Sequence, residues 1–200
     1  MRIIAGTARG TQLKSIEGEA TRPTLDRVKE NFFNAIAFDL EDAKVLDLFA
    51  GSGQLGLEAL SRGAREAVFV DNNIECVDAI KINAQKAKLF NKCNVYHGDY
   101  LEYLSALKKR RGFDKLDKFD IVFLDPPYES SIIKDVVKKL IRQGYISNGG
   151  IIICESESGE IAFDKDVEET FEQQKVYKYG KVYINIIKIK MSGEENEPEQ

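Results

Sequence analysis

The sequence predicts an α/β fold built on a doubly wound, mostly parallel sheet, and three observations lead to this prediction. From residue 43 onward, short apolar runs alternate with longer segments in which apolar residues recur every three or four positions. One of these runs, Asp120–Leu124, is apolar enough to be buried on both faces of a sheet. The last apolar runs flank a turn, which adds an antiparallel hairpin at the C-terminal end.

The predicted elements follow one another at short intervals. Strands are predicted over Val45–Phe49, Ala67–Val70, Asn94–Tyr96, Asp120–Leu124 and Gly150–Cys154, and in two runs within Lys175–Lys190 around a turn at Tyr179–Lys181. Helices are predicted over Leu55–Ser61, Ile74–Leu89, Tyr100–Lys109 and Ile132–Ile141. Because parallel strands need crossover connections, which are usually helices, this order favours a parallel sheet with helices on its faces.

The first 42 residues do not follow this alternation, and they predict a small N-terminal extension of the same domain. Ile3–Ala5 and Gln12–Lys14 can pair as a hairpin across a turn at Gly6–Gly10. A helix is expected next, with Thr24 as its N-cap. Its apolar residues at helical spacing are Leu25, Val28, Phe32, Phe33 and Ile36.

The composition is that of one folded globular domain. With 200 residues, 43% apolar and 31% charged, a disordered or collagen-like chain is excluded, and no run approaches the roughly 18 apolar residues of a membrane-spanning helix. Three scattered cysteines provide neither a disulfide framework nor a metal site, so we expect a cytoplasmic protein without a metal. The predicted organisation is an extension at 1–42, a main domain at 43–191 and a disordered acidic tail at 192–200.

Charge is distributed unevenly along the chain. The net charge of -4 argues, taken alone, against a nucleic-acid partner. However, residues 1–29 carry six Lys or Arg against three acids, whereas residues 155–172 carry one Lys against eight acids. A second basic run, 108–118, is as easily explained as a solvated helix end. We therefore expect a polyanion to approach the N-terminal segment, with the acidic C-terminal end facing away.

A glycine-rich segment follows the first predicted strand of the main domain. Gly51–Gly56 has the spacing G-x-G-x-x-G, in which glycines allow a tight turn and a close approach of the backbone to a ligand. Asp71 follows at the end of the next strand, where a carboxylate can bind a ribose diol. The alternative is a purely structural turn, but the surrounding strand, helix and acid together predict a nucleotide or nucleoside site.

Acidic residues stand at the expected ends of successive strands, and no Lys or Arg lies between Lys44 and Arg62. The acids are Asp47, Asp71, Asp99 and Asp125. Such a rim suits hydroxyl groups, an ammonium and a sulfonium better than a pyrophosphate, which favours S-adenosylmethionine over a dinucleotide. For Asp99, capping of the following helix is an equally good interpretation.

A proline-rich tetrapeptide, Asp125–Tyr128, directly follows the buried strand that ends at Leu124. Its two consecutive prolines fix the backbone and remove its donors, so that carbonyls and a carboxylate are left to accept hydrogen bonds from an incoming amine. The Tyr128 ring offers a flat face for stacking a planar base. A simple turn is the alternative, but a crevice shared with the glycine loop indicates a substrate site.

The pairing of D-x-F-x-G-x-G at Asp47–Gly53 with D-P-P-Y resembles S-adenosylmethionine-dependent amine methyltransferases, which have a Rossmann-like sheet. More narrowly, the chain resembles the bacterial 16S rRNA guanine-N2 methyltransferase family. The segments that carry this resemblance are Arg2–Gly6, Arg9–Gly10, Arg22–Thr24, Asp26–Glu30, Phe33–Asn34, Asp47–Gly53 and Gly56–Gly63. The resemblance implies methylation of the exocyclic N2 amine of the guanine conventionally numbered 966 in 16S rRNA, either naked or within an assembling small subunit.

The resemblance also implies roles for individual residues. The cofactor-binding set is Asp47, Phe49, Ala50, Gly51, Gly53, Asp71, Asn72, Asp99 and Tyr100, with Asp71 on the ribose and Asp99 near the adenine. The catalytic set, which receives the amine, is Asp125, Pro126, Pro127 and Tyr128, and the RNA-binding set is Arg2, Arg9, Arg22 and Arg27. The family often has Glu at the position of Asp71 and an acid at that of Asn73, so the ribose contact is expected to be longer or water-mediated here.

Three other functions are compatible with parts of the pattern. An NAD(P)-dependent oxidoreductase explains the G-x-G-x-x-G spacing but not the tetrapeptide. A non-catalytic RNA-binding module explains only the basic segment. Amine methyltransferases that act on adenine N6 or on protein glutamine share the tetrapeptide, and only the N-terminal resemblance argues against them. The single histidine, His97, is expected to be structural or peripheral.

Overall fold

A seven-stranded sheet with the strand order β3-β2-β1-β4-β5-β7-β6 forms the centre of the computed structural model. The structure describes residues 1–16, 23–110, 118–126, 130–156 and 159–191, so the predicted tail at 192–200 lies outside the described residues. The strands are β1 (Lys44–Asp47), β2 (Glu66–Asp71), β3 (Cys93–His97), β4 (Phe119–Leu124), β5 (Ile146–Ser156), β6 (Phe171–Tyr179) and β7 (Val182–Ile189). Strands β1 to β5 are parallel, and β7 runs antiparallel to both β5 and β6. The predicted sheet is confirmed.

The described part of the chain has six α-helices, of which the second to the fifth connect the parallel strands as expected. They are α1 (Pro23–Ala35), α2 (Gln54–Ser61), α3 (Ile74–Lys86), α4 (Tyr100–Arg110), α5 (Ser130–Arg142) and α6 (Lys165–Glu168), with short 3₁₀ turns at Ala37–Asp39 and Phe90–Lys92. The prediction of Thr24 as N-cap is wrong, because α1 already begins at Pro23. Proline suits the first helical position, where its missing N–H needs no partner. No helix in the described part of the chain is long and apolar enough to cross a membrane.

The sheet is covered on both faces, and each face has its own apolar core. Phe69, Phe123 and Ile153 face α1, α2 and the N-terminal segment. Val122 and Ile152, which neighbour them in sequence, face α5 on the other side. Because successive side chains of a strand point to opposite faces, a strand segment buried on both sides must be apolar on both faces, as 121–124 and 151–154 are.

The N-terminal segment forms the predicted hairpin. Arg2 bridges Gln12 in antiparallel fashion, and the amide of Ile3 donates to the carbonyl of Thr11 at 3.0 Å. The side chain of Ile3 is fully buried in the core shared with α1. The hairpin is therefore part of the same hydrophobic core as the sheet.

Two buried polar side chains fasten this N-terminal segment to the helices beneath it. The carboxylate of Glu58 on α2, 1% exposed, accepts hydrogen bonds from the amides of Ile4 at 2.7 Å and Ala5 at 3.0 Å. It also accepts one from Arg62 Nε at 2.6 Å. On α3, the fully buried amide of Asn83 accepts from the Lys14 N–H at 2.6 Å and donates to the Lys14 carbonyl at 3.0 Å.

The part of the acidic C-terminal stretch around α6 lies on the opposite face of the sheet. Val167 of α6 belongs to the core on the α5 side, whereas the N-terminal hairpin packs on the other side. Asp164 and Asp166 form ion pairs with Lys138 and Arg142 of α5. The hydrogen bond from Arg142 lowers the pKa of Asp166. The sheet therefore separates these acids from the basic hairpin.

Replacing Glu58 with Ala is expected to destabilise the fold by about 3 kcal/mol, because it leaves the Arg62 guanidinium buried without its carboxylate and removes the acceptor of two amides. Denaturant unfolding measures this loss. Hydrogen exchange should show faster exchange at Ile4 and Ala5. As a control, Gln85→Ala on the exposed side of α3 should change stability by less than about 0.5 kcal/mol. Equal stability of the two variants would contradict the role of Glu58.

Candidate active site

A cavity of about 730 Å³ opens at the carboxyl ends of β1, β2, β4 and β5. Open parallel sheets place their ligands at this edge. The cavity brings together most of the predicted site residues, namely Asp47, Phe49, Ala50, Gly51, Asp71, Asn72, Asp99, Tyr100, Asp125 and Pro126. The two predicted motifs, the glycine loop and the start of the D-P-P-Y segment, therefore line one cavity.

Other predicted residues lie elsewhere. Gly53 is not among the cavity-lining residues; it precedes α2 with φ of +80°, and a Cβ there would lie 3.0 Å from the Ile80 side chain. It contributes a backbone conformation that glycine adopts without strain. Pro127 and Tyr128 are outside the described residues.

The predicted RNA-binding residues are partly described. Arg2, Arg9 and Arg27 are exposed, and Arg22 is outside the described residues. Arg2 follows Met1, and Arg27 precedes Val28 and Lys29. The N-terminal residue Met1 and the two α1 residues line the cavity, which places Arg2 and Arg27 next to its wall.

Asp71 joins the glycine loop to the next turn. Its Oδ2 accepts a hydrogen bond from the Gly51 amide at 2.8 Å, and its Oδ1 accepts one from the Asn73 amide at 2.9 Å. Each carboxylate oxygen has two lone pairs, so Asp71 retains the capacity to accept hydroxyl hydrogens. Asp47 acts similarly at the start of α2, where its buried carboxylate accepts from the Gly56 amide at 3.0 Å.

Asp99 and its neighbour form another part of the wall. The carboxylate of Asp99 accepts a hydrogen bond from the Leu101 amide at 2.7 Å, which is the capping interaction considered above, and Asp99 still lines the cavity. The Tyr100 ring packs 5.2 Å from that of Phe49, centroid to centroid. Burial, with the charges of Asp99 and Asp135, raises the pKa of Tyr100, so its hydroxyl stays protonated at neutral pH.

Two further charged residues line the cavity, Lys29 of α1 and Glu155 of β5. Glu155 follows an apolar strand run directly, just as Asp125 does, and this signal could have identified it. Lys29 belongs to the basic segment 1–29 that was expected to meet a polyanion, but its place in the cavity wall was not predicted. With these two residues, the described lining holds five carboxylates and one lysine.

A buried donor without a partner also lies at this cavity. The side-chain Nε2 of Gln54 has no hydrogen-bond partner among the described residues, although the atom is buried and Gln54 lines the cavity. Buried donors are almost always satisfied, so this amide is available to a ligand with an acceptor group. His97 is exposed, and its Nε2 lies 3.2 Å from the Asn72 carbonyl. Among the described residues, no cluster of His, Cys, Asp or Glu is arranged to hold a metal.

Comparison with known proteins assigns the family. Residues 1–188 match the family described as Conserved hypothetical protein 95. The chain belongs to this family. It is 38% identical over 155 residues to the "Putative rRNA methyltransferase YlbH" of Bacillus subtilis, covering 78% of this chain and 82% of that protein. It is 34% identical over 158 residues to the "Ribosomal RNA small subunit methyltransferase D" of Haemophilus influenzae, covering 78% and 79%. The predicted family is confirmed, and with it the methyltransferase class.

Solved structures share this fold over most of the chain. The structure described as "Putative methyltransferase yhhF from Escherichia coli" has a TM-score of 0.80 and 30% identity, covering 96% of this chain and 99% of that chain. A more distant relative in fold is the Thermus thermophilus 16S rRNA N2 G1207 methyltransferase solved with AdoMet and guanosine. It has a TM-score of 0.63 and 18% identity, covering 88% of this chain and 45% of that chain, a likeness that establishes the fold alone.

Replacing Gly56 with Ala is expected to destabilise the protein by about 2 kcal/mol, although alanine is the better helix former, because overpacking outweighs propensity. The new Cβ would lie 2.3 Å from the buried Phe69 ring. Urea unfolding measures the loss, and the double variant with Phe69→Leu should recover part of it. A Gly56→Ala protein more stable than the wild type would show that the ring does not limit the approach of α2 to β2.

Proposed function

We propose that the protein transfers a methyl group from S-adenosylmethionine to the exocyclic N2 amine of a guanine in 16S rRNA, the one conventionally numbered 966. The observation that carries the proposal is the shared cavity, in which Asp125 and Pro126 of the D-P-P-Y segment lie with Gly51 and Asp71 of the glycine loop. Membership of a family with relatives named for small-subunit rRNA methylation supports the choice of substrate.

The residues at the cavity fit S-adenosylmethionine. An acidic lining suits its ammonium and sulfonium groups, and a pyrophosphate would face five carboxylates and one lysine. The Nε2 of Gln54, which has no hydrogen-bond partner within the described part of the chain, offers a donor to the carboxylate of the methionine part. Asp71 would hold the ribose diol. Phe49 and Tyr100 would provide an apolar wall for the adenine.

When bound, S-adenosylmethionine supplies an electrophilic methyl group on a sulfonium. The chain then has little acid or base chemistry to perform, and positioning dominates. Asp125 and the Pro126 carbonyl would each accept a hydrogen bond from one of the two N2 hydrogens. These hydrogen bonds would favour a pyramidal nitrogen whose lone pair points at the methyl carbon. The side chain of Asp125 is exposed, so the released proton has a path to solvent.

The substrate base must leave its stack to reach this cavity. Arg2 and Arg27 flank residues of the cavity wall and, with Arg9, would contact phosphates around the extruded base. The acidic stretch around α6, on the other face of the sheet, would stay away from the RNA. This arrangement reconciles an rRNA substrate with a net charge of -4.

Replacing Asp125 with Ala should lower kcat for rRNA methylation by at least about 100-fold, because the amine loses its charged acceptor. The dissociation constant for S-adenosylmethionine should change little, since the ligand interactions proposed for Asp71 and Gln54 remain. Transfer of tritiated methyl groups to rRNA from a deletion strain measures kcat, and calorimetry measures the dissociation constant for S-adenosylmethionine. Asp78→Ala, an exposed change on α3, is the matched control and should leave both unchanged.

Mass spectrometry of rRNA from the deletion strain tests the target. N2-methylguanine should disappear at the proposed position and return with the wild-type gene but not with Asp125→Ala. Its persistence would refute the assignment. Loss of an N6-methyladenine instead would move the target to adenine. Saturable NAD binding without S-adenosylmethionine binding would favour an oxidoreductase.

A further inference from the structure

Two charged side chains of the cavity have no role in the reaction as described so far. Lys29 is only 7% exposed, and Glu155 is half-buried at the end of β5. Each already interacts with other groups of the chain. Burying a charged group costs several kcal/mol per ion, and apolar residues at the same positions would often stabilise a fold equally well or better. Their position at the ligand cavity therefore points to a use beyond stability.

Sheet register places Glu155 beside the amine-accepting residue. Strands β4 and β5 are parallel, and Leu124, the last residue of β4, is paired with Cys154. Asp125 and Glu155 each directly follow a residue of this pair, and both line the cavity. Because strand side chains alternate, Glu155 lies on the same face of β5 as Ile153.

The same face of the sheet is covered by α1. Val28 and Phe32 of this helix pack in the core together with Phe123 and Ile153. Lys29 lines the cavity from the same helix. The carboxylates of Asp125 and Glu155 thus belong to the sheet side of the cavity wall, and Lys29 belongs to the side formed by the covering helix.

The Watson–Crick edge of guanine carries three groups in a row. The N2 amine and N1–H are donors, and O6 is an acceptor. Adenine and cytosine differ at the second position, where the ring nitrogen beside the exocyclic amine carries a lone pair. A carboxylate next to the amine site therefore accepts a hydrogen from guanine but repels the other two bases.

We propose that Glu155 and Lys29 select guanine, with the Glu155 carboxylate accepting N1–H and the Lys29 ammonium donating to O6 while Asp125 accepts from N2. This inference rests on the proposed function and deepens it by naming the residues that distinguish guanine from other amine-bearing bases. Base-edge contacts of this kind supply substantial discrimination in nucleic-acid complexes.

The test uses two short RNAs with the sequence around the target, one with guanine and one with 2-aminopurine at that position. 2-Aminopurine keeps the N2 amine but has a lone pair at N1 and lacks O6. For the wild type, kcat/KM should be on the order of 100-fold higher with guanine, the range expected for a lost pair of base-edge hydrogen bonds. In the Glu155→Gln variant, the side-chain amide can donate a hydrogen bond to the N1 lone pair of 2-aminopurine. The ratio of kcat/KM with guanine to kcat/KM with 2-aminopurine should therefore fall below about 10.

Two further variants make the test specific. Lys29→Met should lower kcat/KM for guanine while leaving that for 2-aminopurine nearly unchanged, since only guanine has O6. Glu160→Gln, an exposed change of the same type five positions along, should keep the wild-type ratio. Calorimetry with S-adenosylmethionine and thermal unfolding verify that each variant is folded and binds cofactor.

The outcomes separate the two proposals. A wild-type ratio near one, or the same ratio in Glu155→Gln and the wild type, overturns the selection of guanine by Glu155 while methylation itself stands. A wild type that binds cofactor but methylates neither RNA nor small subunits from a deletion strain overturns the proposed function and this inference with it.

Discussion

The parallel arrangement of β1 to β5 is the constraint on which the rest of the structure depends. It brings the carboxyl ends of all five strands to one edge of the sheet, and side chains that follow each strand meet there although they are far apart in sequence. Asp71 then uses both carboxylate oxygens to fix the glycine loop against the next turn. The order and direction of the strands, rather than any single side chain, create the cavity, and the polar residues determine its chemistry.

The N-terminal extension completes this cavity from outside the sheet. Its hairpin buries Ile3 and contributes Met1 to the wall, and α1 contributes Lys29. The same segment therefore lines the cavity and packs into the core. Buried carboxylate and amide groups, Glu58 and Asn83, satisfy backbone groups of the extension that apolar residues could not.

Much of the fold could be predicted because the central parallel strands contain runs that are apolar on both faces and each crossover between parallel strands is helical. The start of β5 at Ile146 was missed, since polar and glycine residues interrupt its first half. The start of α1 was missed because Pro23 resembles a breaker before a helix as much as its first residue. At the site, motif residues were found from spacing, but Lys29 was not. A charge buried through packing against a distant strand leaves no local pattern.

The attachment of the hairpin to Glu58 and Asn83 has a consequence for biosynthesis. Ile4 bonds to a residue 54 positions later, and Lys14 to one 69 positions later. The hairpin is synthesised before α2 and α3 and therefore has no docking surface until they have left the ribosome. During this interval the nascent chain carries an exposed basic arm. The part of the cavity wall formed by the hairpin is thus completed late.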